Sequence, residues 1–412
     1  MGPETFAYPF LFVAIFFETF VLLTFLSAPA KKARARGPSK RTPTVAIIVP
    51  CLNEAATVGA TVGSLLALQY PAEKLSIILV DNGSTDETPK VMAGFKDHPQ
   101  ITVLHEAHRG KHNAINTGMA GTEASIIGCL DADSFVEPDA LREMVTCFEH
   151  PEVAAATAAM SVHEPKNLLE RMQYAEYSFG IMLRHTLSSI NGLYVTPGPF
   201  SLYRREIVQK LGGFRFGYQT EDMEMALRLQ QSGYRIDNAP HARVATKAPR
   251  TLRTLLKQRT RWISGFLYNI TREYRGLLIN SRHGALGMIV LPTAVFSIAS
   301  GIITFITAGI IFGMWMLEGI FLRSGMPISY AYTPQFPELD FFYFPASAYL
   351  ALACIMILGA FTMIVIGKRI SKTPGALTPG LISYTLLYGL IAPLWLMRAS
   401  ADVLIGRKRS WR

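Results

Sequence analysis

The chain opens on an apolar run, residues 7–28 (AYPFLFVAIFFETFVLLTFLSA), interrupted by Glu18. The run is long enough to cross a bilayer. No small-residue cleavage site with a polar mature start follows it, so it reads as an anchor rather than a signal peptide. From residue 44 the pattern changes to short β-rich runs alternating with helical spacing. TVAIIVP (44–50), LSIILVDNGS (75–84), ITVLHEA (101–107) and ASIIGCLDADS (124–134) predict four strands. Residues 56–68, 85–95 and 112–121 predict the helices between them. This βαβαβαβ order predicts an α/β fold with a mostly parallel sheet and helices on both faces. Ligands in such sheets bind at the carboxyl ends of the strands, where Asp81 and the Asp131/Asp133 pair fall.

Two amphipathic stretches follow. Residues 167–190 carry Leu168, Leu169, Met172, Tyr174 and Phe179 with charges between, and residues 250–279 carry Leu252, Leu255, Leu256, Trp262, Ile263 and Phe266 among Arg and Lys. Both suit helices on a membrane surface, and both also suit ordinary core-facing helices. Three further apolar stretches, 285–317, 341–366 and 380–400, are candidate spans. The Pro-rich loop 319–340 reads as external, and the loop at Lys368, Arg369 and Lys372 as internal. A single crossing by 380–400 would then leave the basic residues Arg407, Lys408, Arg409 and Arg412 outside, against the charge rule. Either 380–405 dips or lies along the interface, or 285–317, which carries Pro292, is not a simple span.

Charge sharpens this picture. The net charge is +10, yet the basic residues cluster beside apolar segments, with six Lys or Arg in 31–41 (KKARARGPSKR). That placement marks contact with anionic lipid rather than nucleic acid. It also puts the domain after residue 43 in the cytosol of a multi-pass protein of the cell membrane. Half the residues are hydrophobic and 17% are charged, which excludes an ordinary soluble enzyme of this length. The four cysteines show no metal or redox spacing.

Several acids and bases stand out. Asp131-Ala132-Asp133 ends a strand with two carboxylates that can ligate a hard cation, although such a pair also occurs as a solvated turn. Asp81 can accept hydrogen bonds from a base or ribose, or serve as a turn residue before Asn82-Gly83. Lys111 can meet a phosphate at a helix start. Asp222, in TEDMEMALRL, can act as a general base or simply favour the helix dipole. In Gln258-Arg259-Thr260-Arg261-Trp262, Trp262 offers a flat face for a sugar and Arg261 a fork for a diphosphate; a basic interfacial helix would look similar.

In this order and spacing the motifs resemble the processive branch of family 2 glycosyltransferases, the membrane synthases of hyaluronan, cellulose, chitin oligosaccharides and poly-N-acetylglucosamine. Asp81, then Asp131-Ala132-Asp133, then Thr220-Glu221-Asp222 are followed after thirty-five residues by Gln258-x-x-Arg261-Trp262. VPCLNEAATV and VDNGSTD look like the family's opening strand and nucleotide loop. The resemblance covers about 44–280 and the flanking membrane layout. It implies a GT-A catalytic domain and a set of roles. Asp81 and Asp131 would contact the nucleotide, with Asn53 and Glu54 at its border and Lys111 near its phosphates. Asp133 would hold Mg²⁺ or Mn²⁺. Asp222 would be the base, and Glu221, Gln258, Arg261 and Trp262 would shape the diphosphate and acceptor site. Two departures appear: Asn82 stands where many relatives have a second Asp, and Thr196-Pro197-Gly198-Pro199 replaces the usual small-residue loop on the acceptor side.

The expected organisation is an anchor and basic linker (1–43), a cytosolic catalytic domain (44–250), an interfacial region (251–284) and a C-terminal membrane region (285–412). The expected activity is inverting transfer from a UDP-sugar, best matched by UDP-N-acetylglucosamine, onto a growing β-linked glycan that passes across the membrane. A single addition to a membrane lipid and an inactive subunit of a synthase complex are the alternatives. A homo-oligomer or an accessory membrane subunit would be the protein partner.

Overall fold

The computed structural model describes residues 8–27, 42–323 and 348–406. Its helices are α1 (Tyr8–Ser27), α2 (Val58–Leu66), α3 (Thr88–Ala93), α4 (Lys111–Ala120), α5 (Ala140–Val145), α6 (Leu168–Ser189), α7 (Arg205–Lys210), α8 (Glu221–Gln231), α9 (Leu252–Tyr268), α10 (Leu291–Arg323), α11 (Ala348–Ser371) and α12 (Thr378–Leu404). The strands are β1 (Val45–Cys51), β2 (Leu75–Asp81), β3 (Ile101–His105), β4 (Ile126–Cys129), β5 (Ser134–Val136), β6 (Val153–Val162), β7 (Ser201–Arg204) and β8 (Arg235–Thr246).

One eight-stranded sheet runs β3-β2-β1-β4-β7-β6-β8-β5. The first four strands are parallel, as their unbroken Val/Ile/Leu runs predict for strands covered on both faces. β7 then enters antiparallel between β4 and β6, and β6 and β8 pair parallel. The strands beyond β4 were not among those read from the sequence. β6 is a fully buried alanine-rich strand without alternation, and β7 has only four residues. The strand order reverses between β1 and its two neighbours, β2 and β4. The crevice at such a switch point opens at the carboxyl ends of these strands.

The amphipathic stretches form helices as expected. α6 starts at a capping box: Asn167 Oδ1 accepts from the Glu170 N–H, and Glu170 Oε2 accepts from the Asn167 N–H. α6 and α9 both face the protein interior, against the sheet and against an apolar C-terminal helix. Tyr174 and Tyr177 of α6 join the sheet's core, while Met172 of α6 and Leu255 of α9 pack with Ala392 and Trp395 of α12.

Four helices are long and apolar enough to cross a membrane: Tyr8–Ser27, Leu286–Met314, Leu350–Ser371 and Thr378–Leu404. The expected external loop 319–340 needs correction at its start. The helix continues to Arg323, through Gly319 and with no proline in 318–323. The remainder of that loop, the start of the 341–366 span and the basic residues 407–412 lie outside the described residues. Pro292 follows a π-helical turn, Leu286–Val290, and the helical run continues through it.

α12 touches the catalytic domain at both ends. Near its start, a Cβ on Gly380 would lie 3.0 Å from the Arg171 carbonyl oxygen of α6. Near its end, the Tyr268 hydroxyl of α9 donates to the Asp402 carbonyl at 3.3 Å. Ser383, Ala392, Trp395, Ala399 and Asp402 are buried on this face, whereas Ile382, Leu386, Leu390 and Leu394 are exposed on another.

Candidate active site

The expected site residues arrive from four directions. β1 ends at Cys51, and the next turn presents Asn53 and Glu54. Asn53 adopts a left-handed φ of 57°, a conformation its short amide tolerates. Its Oδ1 accepts from the Thr85 N–H at 2.8 Å, and its own N–H donates to Ser84 Oγ at 3.0 Å. Asn53 thus holds the loop that follows Asp81. Asp81 ends β2, buried, and accepts from the Ser84 N–H at 3.2 Å. On the next strand His105 faces it in register, with Nδ1 3.0 Å from Asp81 Oδ2.

Asn82 shows why the second acid of this loop is replaced. Its Oδ1 accepts from the Gly110 N–H at 2.8 Å, and its Nδ2 donates to the His108 carbonyl at 2.9 Å. An aspartate could accept but not donate there. The amide therefore ties the loop before α4 to the end of β2 and positions Lys111.

Lys111 is a hub rather than a surface lysine. Its Nζ lies 2.6 Å from Asp131 Oδ1 and 3.1 Å from Glu221 Oε1. Burial alone would lower its pKa, but Asp131 and Glu221 hold it well above the ordinary lysine value. Burial alone would also raise the Glu221 carboxyl, yet Lys111 and Arg261 keep it below its usual value. Asp222 has the opposite fate. Burial and the neighbouring Glu221 charge push it up to about 6, against the pull of Lys111. Two adjacent carboxylates with separated titrations are the usual sign of an assigned base.

The loop Thr196–Pro199 lies against Asp222, Lys111 and Asp131. The Gly198 N–H donates to Asp222 Oδ2 at 3.2 Å, and Thr196 Oγ1 donates to the Asp222 carbonyl at 2.7 Å. A Cβ on Gly198 would stand 2.5 Å from Lys111 Nζ and 3.0 Å from Asp131 Oδ2. Only glycine fits. Neither Thr196 nor Gly198 was singled out from the sequence. The Thr-Pro-Gly-Pro run was noticed as a departure, but a backbone donor has no signature of its own.

Asp133 lies past Asp131, with Ser134 Oγ and Thr246 Oγ1 donating to its Oδ1 at 3.2 and 3.3 Å. Burial and the charges of Asp131 and Glu54 raise it to about 7. No cluster of three or more protein ligands with metal-site geometry is present among the described residues. The pair still fits a hard divalent cation. Mg²⁺ is commonly held by one or two carboxylates plus substrate phosphates, and the carboxylates crowded here repel one another until a cation is among them.

α9 supplies the last group. Gly265 lets it press on the start of α8, since a Cβ there would lie 2.4 Å from Thr220 Oγ1. Arg261 NH1 donates to the Gln219 carbonyl at 2.6 Å. Tyr218 and Gln219 both take left-handed φ, 53° and 69°, a costly pairing for non-glycine residues that tends to gather at functional sites. Tyr218 stacks on Tyr268, ring centroids 4.6 Å apart. Trp262 is half-buried beside the Arg259 guanidinium, and Gln258 keeps a buried Oε1 without a hydrogen-bond partner.

Comparison with known proteins bears on the family and the fold. Residues 43–265 match the family described as "Glycosyltransferase like family 2". The poly-beta-1,6-N-acetyl-D-glucosamine synthases of Staphylococcus aureus (strain COL) and Staphylococcus epidermidis (strain ATCC 35984) are 31% and 30% identical over 233 residues, 56% of this chain and 56% of theirs. The chain thus aligns with little more than half the length of these relatives. Among solved structures, the mannosyltransferase PcManGT from Pyrobaculum calidifontis, in complex with GDP-Man and Mn²⁺, superposes with a TM-score of 0.56 at 20% identity, covering 98% of this chain and 100% of that one. That likeness establishes the GT-A fold.

Proposed function

Because this chain belongs to the family 2 glycosyltransferases, we propose that it is an inverting membrane synthase that adds N-acetylglucosamine from UDP-N-acetylglucosamine to a growing β-linked glycan and passes the product across the bilayer. The observation that carries the chemistry is the convergence of Asp222 with Asp131, Lys111 and Glu221 across the Gly198 backbone. The staphylococcal relatives, named as synthases of this polymer, support the sugar.

In this reading the nucleotide lies over the carboxyl ends of β1, β2 and β4, with Asp81 on the base and Asp131 on the nucleotide. Asp131 and Asp133 hold Mg²⁺ or Mn²⁺, which when bound neutralises the donor's diphosphate. Asp222 Oδ takes the proton of an acceptor hydroxyl. That oxygen attacks the anomeric carbon from the face opposite the diphosphate, forming the new C–O bond as the bond to UDP breaks. A single displacement inverts the centre, so an α-linked donor yields a β-linkage. Lys111 and Arg261 supply fixed positive charge beside the leaving group. Trp262 forms the platform under the acceptor sugar, and Gln258 Oε1 accepts one of its hydroxyls.

The membrane arrangement follows from α12. Both of its ends meet α6 or α9, and Tyr268 at the far end is stacked on Tyr218, two residues before Thr220. A helix crossing the bilayer would carry one end some 30 Å away from the domain's side. α12 therefore lies in the interface, with Ile382, Leu386, Leu390 and Leu394 toward lipid. The crossings are α1, α10 and α11. The described residues then end, at Gly406, on the cytosolic side.

The deciding experiment measures UDP release from the protein in lipid nanodiscs with a panel of UDP-sugars and Mg²⁺ or Mn²⁺, alongside Asp222→Asn, and sizes the product. Release that needs both cation and Asp222, with a polydisperse β-linked product, is expected. A single-sugar lipid product would move the assignment to a lipid glycosyltransferase. No release with any donor would mean a missing partner or an inactive subunit.

A further inference from the structure

We propose that Arg259, together with Glu176, is a positioning residue that fixes the plane of the Trp262 indole and so sets how well the enzyme holds its acceptor. The proposal rests on the reading of Trp262 as the acceptor platform.

Arg259 stands between the named residues of the Gln258-x-x-Arg261-Trp262 motif, and nothing in the reaction scheme uses it. It is nevertheless buried, 4% exposed, on a helix whose sequence is rich in solvated Arg and Lys. Its NH2 lies 2.8 Å from Glu176 Oε2 of α6. Its Cζ stands 4.2 Å from the centre of the Trp262 ring, one helical turn along α9, and 5.6 Å from the Tyr177 ring. The guanidinium is thus anchored at its edge by a carboxylate and stacks with its flat side toward the indole. Its Nε has no hydrogen-bond partner, while the Tyr177 side chain shares a second hydrogen bond with the guanidinium.

A buried ion pair is a poor way to gain stability, because desolvation offsets most of the attraction, whereas it is a good way to fix geometry. A lysine at 259 could pair with Glu176 but could not present a planar face to the indole. An indole free to rock about its χ angles would offer a sugar ring a poorly defined surface. The clamp also ties the platform to α6. That helix packs on α12 through Met172 and Trp395, so the acceptor surface is braced by a helix at the membrane face.

The test uses the full chain in nanodiscs, with short β-linked N-acetylglucosamine oligomers as added acceptor. The variants are Arg259→Gln, Arg259→Lys, Glu176→Gln and Trp262→Ala. Arg259→Gln and Glu176→Gln should raise the acceptor KM about tenfold, leave the UDP-sugar KM unchanged, and shift UDP release from transfer toward hydrolysis. Arg259→Lys should recover thermal stability but not the acceptor KM. Loss of stability and kcat with an unchanged acceptor KM in both Gln variants would reduce the pair to a structural tie and overturn the proposal. So would an Arg259→Lys variant with wild-type acceptor KM. If Trp262→Ala raises the acceptor KM and neither Gln variant does, the positioning role alone fails. If Trp262→Ala leaves it unchanged, the platform reading fails and this proposal with it.

Discussion

The backbone N–H of Gly198 donates to Asp222 Oδ2 at 3.2 Å, so the side chain assigned as the base is held by a residue that has no side chain. The same glycine lies against Lys111 and Asp131, leaving no room for a methyl group. Gly198→Ala should therefore displace the lysine, the loop or both. Forcing a carbon into a packed site costs about 1–3 kcal/mol. We expect kcat/KM for UDP release to fall by roughly 10-fold to 100-fold, with a smaller change in melting temperature. Steady-state kinetics and thermal unfolding on the same preparation check it.

Asp222 gives a pH signature. A base must be ionised to work, and its pKa is raised to about 6. At saturating cation, activity should rise with pH up to about 6 and level off above it, with kcat/KM falling tenfold per unit on the acid side. Asp222→Asn should lower kcat by about 10²–10⁴-fold, in line with general-base catalysis. The same shift bears on stability. The folded pKa lies above the ordinary aspartate value of 3.8, so ionising Asp222 opposes folding. Asp222→Asn should leave the melting temperature unchanged below pH 3.8, raise it progressively from there to about 6, and keep the full gain above.

Asp133 titrates near neutrality because burial, Asp131 and Glu54 all oppose its charge. Binding a divalent cation requires the carboxylate, so protons compete with the cation below about 7. Mn²⁺ affinity measured by calorimetry in the presence of UDP should weaken as pH falls from 8 to 6, with proton release that grows over the same range. Asp133→Asn should abolish that pH dependence and most of the affinity. An unchanged affinity in the variant would place the cation elsewhere.

Asn82→Asp restores the acid found in many relatives, and here it should be harmful. The His108 carbonyl would lose its donor, and a buried carboxylate would face it instead. Leaving a buried polar group unpaired costs about 1–3 kcal/mol. A lower melting temperature and a weaker UDP affinity are expected, measured by thermal unfolding and by fluorescence-detected titration.

What the sequence disclosed divides along a physical line. β1 to β4 were readable because each is a short, wholly apolar run bounded by turn residues, and their parallel order follows from the helices between them. Asp81, Asp131, Asp133, Asp222 and the α9 motif were readable as acids and an aromatic at characteristic spacings. β7 and the Thr196–Pro199 loop were not, because their work is done by backbone groups and by the space around a glycine. Lys111 was seen only as a phosphate candidate. Its place between Asp131 and Glu221 depends on the starts of α4 and α8 coming together on one face of the sheet, a long-range fact that local pattern does not carry. The orientation of α12 was ambiguous for a similar reason. Hydropathy measures how apolar a helix is, and its neighbours decide how it lies.

A helix lying flat also occupies area. α12 has 27 residues, so at about 1.5 Å per residue and about 10 Å across it takes up on the order of 400 Å². In the proposed arrangement all of that area is added to one leaflet, since the opposite leaflet meets only the cross-sections of α1, α10 and α11. A bilayer relieves such an imbalance by bending away from the thinner-populated side. The protein then settles where the cytosolic leaflet is already stretched, and lipids with small headgroups in that leaflet leave the gaps into which Leu386, Leu390 and Leu394 insert.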